Sequence, residues 1–199
     1  LKFSDVSLTN FVQSTPTVWM GVAEVDFLSA EGALRGWNMG GTNAEDFYNA
    51  GIQASFAQWG AGDASAYIND SMNKPADYMD PSDPTDNIDA LSNITVKWEN
   101  AATDEQKLER IITQKWIATF PDGTLAWSTF RRTGYPKLFP VVVNNSNGLI
   151  STNIQIRRLN YPASEYANNA GEVAKGVTLL GGADNGGTRL WWDLDKGNF

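Results

Sequence analysis

Two stretches of helical periodicity, joined by a Gly-Gly-Thr-Asn link, constrain the fold of this chain more than any other feature of its sequence. Over residues 17–37 the apolar side chains of Val18, Val22, Val25, Leu28, Ala33, Leu34 and Trp37 recur at steps of three and four, the spacing of one helix face. Gly40 and Gly41 are expected to end that helix. Thr42 or Asn43 then caps a second helix, with Glu45 and Asp46 in its first turn, where carboxylates suit the unpaired amides. This helix places Ala44, Phe47, Tyr48, Gly51, Ile52, Ser55, Phe56 and Trp59 on one face and stops at Gly60.

The short link makes the two helices antiparallel neighbours, and small residues (Ala30, Ala33, Ala44, Gly51) allow their backbones to approach. Residues 17–60 therefore read as a helical hairpin of the tetratricopeptide type. A single hairpin cannot bury its own face, and no second copy recurs at the expected period of about 34 residues. Its apolar face, from Thr17 to Trp59, is where further repeats are expected to dock.

The rest of the chain is less regular. Residues 1–16 read as irregular and end at Pro16. A loop-rich insertion covers residues 61–102, with a short helix expected between Asp63 and Ser71. Beyond it, Pro75, Pro81 and Pro84 alternate with Asp77, Asp80, Asp83, Asp86 and Asp89. That third-residue spacing raises calcium as a candidate ligand, but an EF-hand loop places its acidic ligands at every second position. The expectation is a solvated loop whose aspartates cap turns, with no cofactor.

Residues 103–199 open with a capping box, Thr103 to Gln106, and a stripe of Leu108, Ile111, Ile112, Trp116 and Thr119 up to Phe120. After a Pro121-Asp122-Gly123 turn, a helix is expected over residues 124–132, and a last one over residues 170–180. Only short extended pieces are expected between residues 135 and 161. The predicted fold class is mainly α: a tetratricopeptide-like helical hairpin plus further helices with long ordered loops.

Composition narrows the chemistry. Of 199 residues none is His or Cys, which excludes a Ser-His-Asp triad, a thiolate nucleophile, a disulfide and the ordinary zinc, haem or iron-sulfur sites. The formal charge of −8 argues against nucleic acid, whose phosphates need clustered cations. No apolar run approaches the roughly 20 residues of a membrane span.

Three strings carry a resemblance: residues 114–140 (QKWIATFPDGTLAWSTFRRTGYPKLFP), 157–169 (RRLNYPASEYANN) and 188–193 (TRLWWD). Together they resemble the C-terminal part of the SusD/RagB family, surface-exposed outer-membrane lipoproteins of Bacteroidetes that bind nutrients, mostly glycans, for import. FLSAEGALRGW and FYNAGIQASFAQWG, from Phe27 and from Phe47, are similar to that family's tetratricopeptide helices. The family is considerably longer and begins with a lipidated Cys that this sequence lacks, so the chain resembles a fragment. The resemblance implies a helical scaffold, a glycan ligand, and a TonB-dependent porin of the SusC type as partner. It also implies a surface-exposed place at the outer membrane, reached through a lipid anchor on sequence that is not present.

Within those strings, Arg157 and Arg158 are expected to pair with carboxylates, and Trp191 and Trp192 to pin the tail onto the body. For the ligand, flat aromatic rings lying off the core stripes are needed. Tyr67, Tyr78 and Trp98 are the candidate ligand-binding residues by that criterion. Two other functions compete with glycan binding. A glycoside hydrolase needs a pair of carboxylates with one pKa raised, and no pair is singled out by an apolar setting. A tetratricopeptide adaptor would hold an extended peptide.

Overall fold

The computed structural model describes residues 14–199, so most of the segment expected to be irregular lies outside the described residues. The chain is helical. In order it forms α1 (Val22–Leu34), α2 (Ala44–Trp59), α3 (Ser65–Ile68), a 3-10 turn (Pro84–Asp86), α4 (Asp104–Ala118), α5 (Gly123–Thr133), α6 (Ala163–Asn168) and α7 (Ala170–Leu179). Among the described residues there is no β-strand, only one bridge between Tyr78 and Ile88. Two compact units are distinct, one running to Ala126 and including Phe199, the other Trp127 to Asn198.

In the first unit, α1 and α2 form the expected hairpin, and α4 packs against both. The Asn43 side chain accepts the Asp46 amide at 2.9 Å, and Gly60 ends α2 in the left-handed region. The first helix is shorter than its periodicity indicates. Gly36, at φ 79°, ends it: the amides of Gly36 and Trp37 return to the carbonyls of Ala33 and Gly32 at 3.0 and 2.9 Å.

Its buried face is also not the expected one. Ala23, Phe27 and Ala30 are inside, whereas Val18, Val22, Val25, Leu28 and Trp37 face outward. Glu24, Glu31 and Gly32 are buried with them, so the inner face is chosen by fit against α2 rather than by the apolar stripe. A Cβ at Gly51 of α2 would stand 2.8 Å from the Phe27 ring, so α2 settles where small residues admit that ring.

The capping box of α4 forms as expected, Thr103 and Gln106 each bonding the other's backbone amide. Leu108, Ile111 and Ile112 are fully buried. Charged residues join them. Glu109 accepts the Ser92 hydroxyl at 2.5 Å, Arg110 pairs with Glu99 at 2.9 Å, and Lys115 stands 3.9 Å from Glu24. Each buried charge thus has an opposite charge or a donor beside it, without which burial would cost several kcal/mol, about 3–5 for a pair broken at one end.

These same groups fasten the insertion to the helices. Arg110 Nε donates to the Thr95 carbonyl at 3.2 Å, and the Tyr48 hydroxyl donates to the Val96 carbonyl at 2.6 Å. The long loop is therefore ordered by hydrogen bonds to α2 and α4. In the second unit α6 and α7 pack on each other, and α6, Ala163–Asn168, is too short to show a helical period in the sequence.

Candidate functional site

The C-terminal ends of α2 and α4 and the start of α5 enclose a cleft of about 540 Å³ in the first unit. Ser55 and Trp59 lie four residues apart on α2 and so project from one side of it, while Trp116 stands in the last turn of α4 and Phe120 just beyond its end. Trp59 and Phe120 meet with ring centroids 6.0 Å apart and planes at 46°. The two rings form a tilted corner. Trp59 is 44% exposed, Phe120 46% and Trp116 37%. Pro121, Asp122 and Gly123 complete the rim, where Asp122 Oδ1 accepts the Leu125 amide at 2.9 Å.

These three aromatics were expected inside the helical stripes of α2 and α4. Trp116 and Phe120 are corrected by their exposure, since the stripe of α4 is buried only as far as Lys115 and Ala118. The sequence does carry a signal for this. Gly60 and Pro121-Asp122-Gly123 end both helices beside the rings, and side chains in a last turn lack the next turn that would cover them.

The residues named from the sequence lie elsewhere. Trp98 is 7% exposed, its ring against Tyr48 at 5.3 Å and its indole N–H donating to Asn100. Tyr67 packs on Phe56 at 5.4 Å and exchanges hydrogen bonds with Gln114 at 3.0 and 3.2 Å. Both therefore flank the core around Tyr48, whose hydroxyl pKa is raised by burial and by Tyr67. Tyr78 is half-buried on the bridged loop and donates to Asp80 at 2.8 Å, which raises its pKa. The three do not converge on one cavity.

The acidic loop spends its carboxylates on itself. Asp80 Oδ1 accepts the amides of Ser82 and Asp83, and Asp83 Oδ1 accepts the amide and hydroxyl of Thr85. Among the described residues no three acidic side chains gather as a metal site.

The second unit has a cavity of about 590 Å³ under the loop of residues 141–159. Val141, Val143, Ile150, Ile156 and Leu159 line it, with the Trp127 indole N–H committed to the Ile156 carbonyl at 2.9 Å. It is aliphatic where the cleft of the first unit is aromatic.

A model of the family described as Susd and RagB outer membrane lipoprotein, SusD-like, matches residues 2–193. The chain belongs to the SusD-like family. Solved SusD homologues share its fold. A chitin-binding SusD homolog from Flavobacterium johnsoniae is 58% identical over 89% of this chain, with a TM-score of 0.84. A homolog from Bacteroides vulgatus is 49% identical over 96%, with a TM-score of 0.90, and one from Bacteroides uniformis 46% identical over 93%, with a TM-score of 0.88. The chain spans 36%, 38% and 38% of those structures. No curated protein matched it.

The strings that carry the SusD-like resemblance have a structural part to play. Asp193, 1% exposed, takes both a bidentate Arg157 and, at 2.7 Å, Arg189. Arg157 also donates to the Arg131 carbonyl, and Arg131 Nη1 to the Arg157 carbonyl, both at 2.8 Å. The Arg131 guanidinium lies between two indoles, 3.6 Å from the Trp127 ring centre and 4.8 Å from that of Trp192. Arg158 pairs with Asp184, as expected of these arginines. The two terminal tryptophans divide: Trp192 joins this cluster, while Trp191 is 87% exposed.

Proposed function

We propose that this chain belongs to a surface-exposed outer-membrane lipoprotein that binds a neutral glycan and hands it intact to a TonB-dependent porin of the SusC type. The observation that carries this reading is the 58% identity with a chitin-binding SusD homolog across 89% of the chain. At that level of identity chito-oligosaccharides are the first ligands to test.

Local chemistry supports binding without bond cleavage. A glycosidase needs one carboxyl whose pKa is raised enough to donate a proton. Hydrogen bonds to Ser65, Asn73 and Thr85 hold Asp63, Asp70 and Asp83 below the ordinary carboxylate range, while burial raises that of Asp26 on α1, away from the acidic loop. The reading needs no cofactor, and with −8 net charge the protein repels polyanions.

Retardation in gels containing neutral polysaccharides, polyanionic polysaccharides or neither tests the proposal. Slower migration with a neutral polysaccharide, and no release of reducing ends, is the expected outcome. Peptide binding with no glycan binding, or the appearance of reducing ends, would overturn it.

A further inference from the structure

We infer that the cavity of the second unit holds an N-acetylhexosamine residue of a neutral glycan, its acetamido group set between aliphatic walls and side-chain amides. This rests on the glycan-binding reading and adds to it a place and the sugar class that the place selects.

The lining is the first observation. Val141, Val143, Ile150, Ile156 and Leu159 supply branched apolar walls, and Asn145, Ser151 and Gln155 supply neutral polar groups. No Asp, Glu, Lys or Arg lines the cavity, so nothing in it would compensate the desolvation of a charged ligand. An acetamido group carries a methyl for the aliphatic walls and an amide that both donates and accepts, which a carboxamide answers in kind. A plain hexose offers hydroxyls and flat C–H faces instead. Trp127, the one aromatic in the lining, has its indole N–H bonded to the Ile156 carbonyl and a ring face under the Arg131 guanidinium.

The second observation is hydrogen-bonding capacity that the fold leaves unspent. Gln155 Nε2 donates to the Phe139 carbonyl at 2.9 Å, which fixes the carboxamide and leaves Oε1 to accept. The Ser151 hydroxyl accepts the Asn153 amide at 3.3 Å and keeps its proton to donate. Asn145 makes no side-chain hydrogen bond to any described residue.

The third is that the cavity is braced. Asn144 spends its carboxamide on the loop itself, donating to the Ile150 carbonyl at 2.7 Å and accepting the Ser146 amide at 3.0 Å. Gln155 sits at φ 57°, a strained value for a residue other than glycine, with its amide bonded to the Ser151 carbonyl at 3.1 Å. Behind the loop, a Cβ at Gly186 would stand 2.8 Å from Ile150 Cδ1 and one at Gly187 2.6 Å from the Leu149 carbonyl oxygen, so the backbone closes on it from that side. The volume of about 590 Å³ lies within the range of small-ligand sites, roughly 300–1,000 Å³.

Calorimetric titration of the 199-residue chain with chitotetraose and cellotetraose provides the test, because the two sugars differ only by the acetamido group that replaces one hydroxyl on each ring. Chitotetraose is expected to bind at least about tenfold more tightly. Ser151→Trp fills the cavity from an exposed position, and Asn145→Ala removes a carboxamide that no described residue uses, so neither disturbs the packed core. They should weaken chitotetraose binding about tenfold and about threefold respectively. Trp191→Ala, an exposed ring of the same unit outside the cavity, is the control and should bind like the unaltered chain. If cellotetraose binds as well as chitotetraose, or if Ser151→Trp or Asn145→Ala binds chitotetraose as the unaltered chain does, the inference falls and the glycan-binding reading stands. The same holds if neither sugar gives heat while another neutral glycan retards the chain. If no neutral glycan binds at all, both fall.

Discussion

Gly51 shows how one residue sets the geometry of the hairpin. Replacing a helical glycine by alanine normally gains up to about 1 kcal/mol of helix propensity. Here the added Cβ would meet the Phe27 ring at 2.8 Å, and Phe27 is fully buried with no room to retreat. Overpacking of this kind costs about 1–3 kcal/mol, so Gly51→Ala should lower the midpoint of chaotrope-induced unfolding. Asp193 illustrates the opposite hazard. It neutralises Arg157 and Arg189 from a buried position, and Asp193→Asn would strand those cations at a cost of about 3–5 kcal/mol. Asp184 links the same unit to pH. Burial alone would raise its pKa, but hydrogen bonds from Tyr166, Arg158 and the Tyr161 amide outweigh this and hold it below its ordinary 3.8. Such a depressed carboxyl contributes fully above pH 3.8 and is lost as pH falls through its lower folded value. Asp184→Asn should therefore be destabilising at neutral pH, and the difference from the unaltered chain should shrink in acid.

At the level of elements, signals confined to a few adjacent residues were legible. The capping box at Thr103, the Asn43 cap and the Gly60 stop all form where the sequence places them, because each is settled by local backbone chemistry. Thr103→Ala should cost about 1 kcal/mol, measurable as a shift in thermal unfolding. The faces of α1 and the end of α4 were not legible. Periodicity counts apolar residues but not their sizes, so Val22, Val25 and Leu28 outvoted Ala23 and Ala30, which lie inside because α2 comes close there. For α4 the pattern continued past the point where neighbours cover it. Trp116→Ala should consequently cost less than the roughly 3–5 kcal/mol of a fully buried tryptophan, a difference that chaotrope titration resolves. The loop aromatics do not come together in one cavity, for a related reason. Tyr67 and Trp98 stand in a polar segment, yet that segment is fastened to α2 and α4, which turns their rings inward.

For the whole molecule, the outer face of α1 and the cleft are two exposures with different chemistry. Val22, Val25 and Leu28, with Trp19 and Met20 before them, are exposed apolar side chains of the kind that repeat proteins cover with the next helical pair. The cleft is smaller, aromatic and rimmed by polar groups. Membership of a family of outer-membrane lipoproteins, and similarity to a homolog that binds chitin, are what support the proposed neutral glycan. The absent His and Cys fit that account, since holding a neutral glycan asks for flat rings and hydroxyl partners and for no nucleophile. The most direct measurement is the binding isotherm of this chain with chito-oligosaccharides at low and high salt, followed by an assay of reducing ends. The account predicts saturable binding that salt leaves nearly unchanged, because the contacts are apolar and uncharged, and no new reducing ends. No binding, binding that salt abolishes, or release of reducing ends would contradict it.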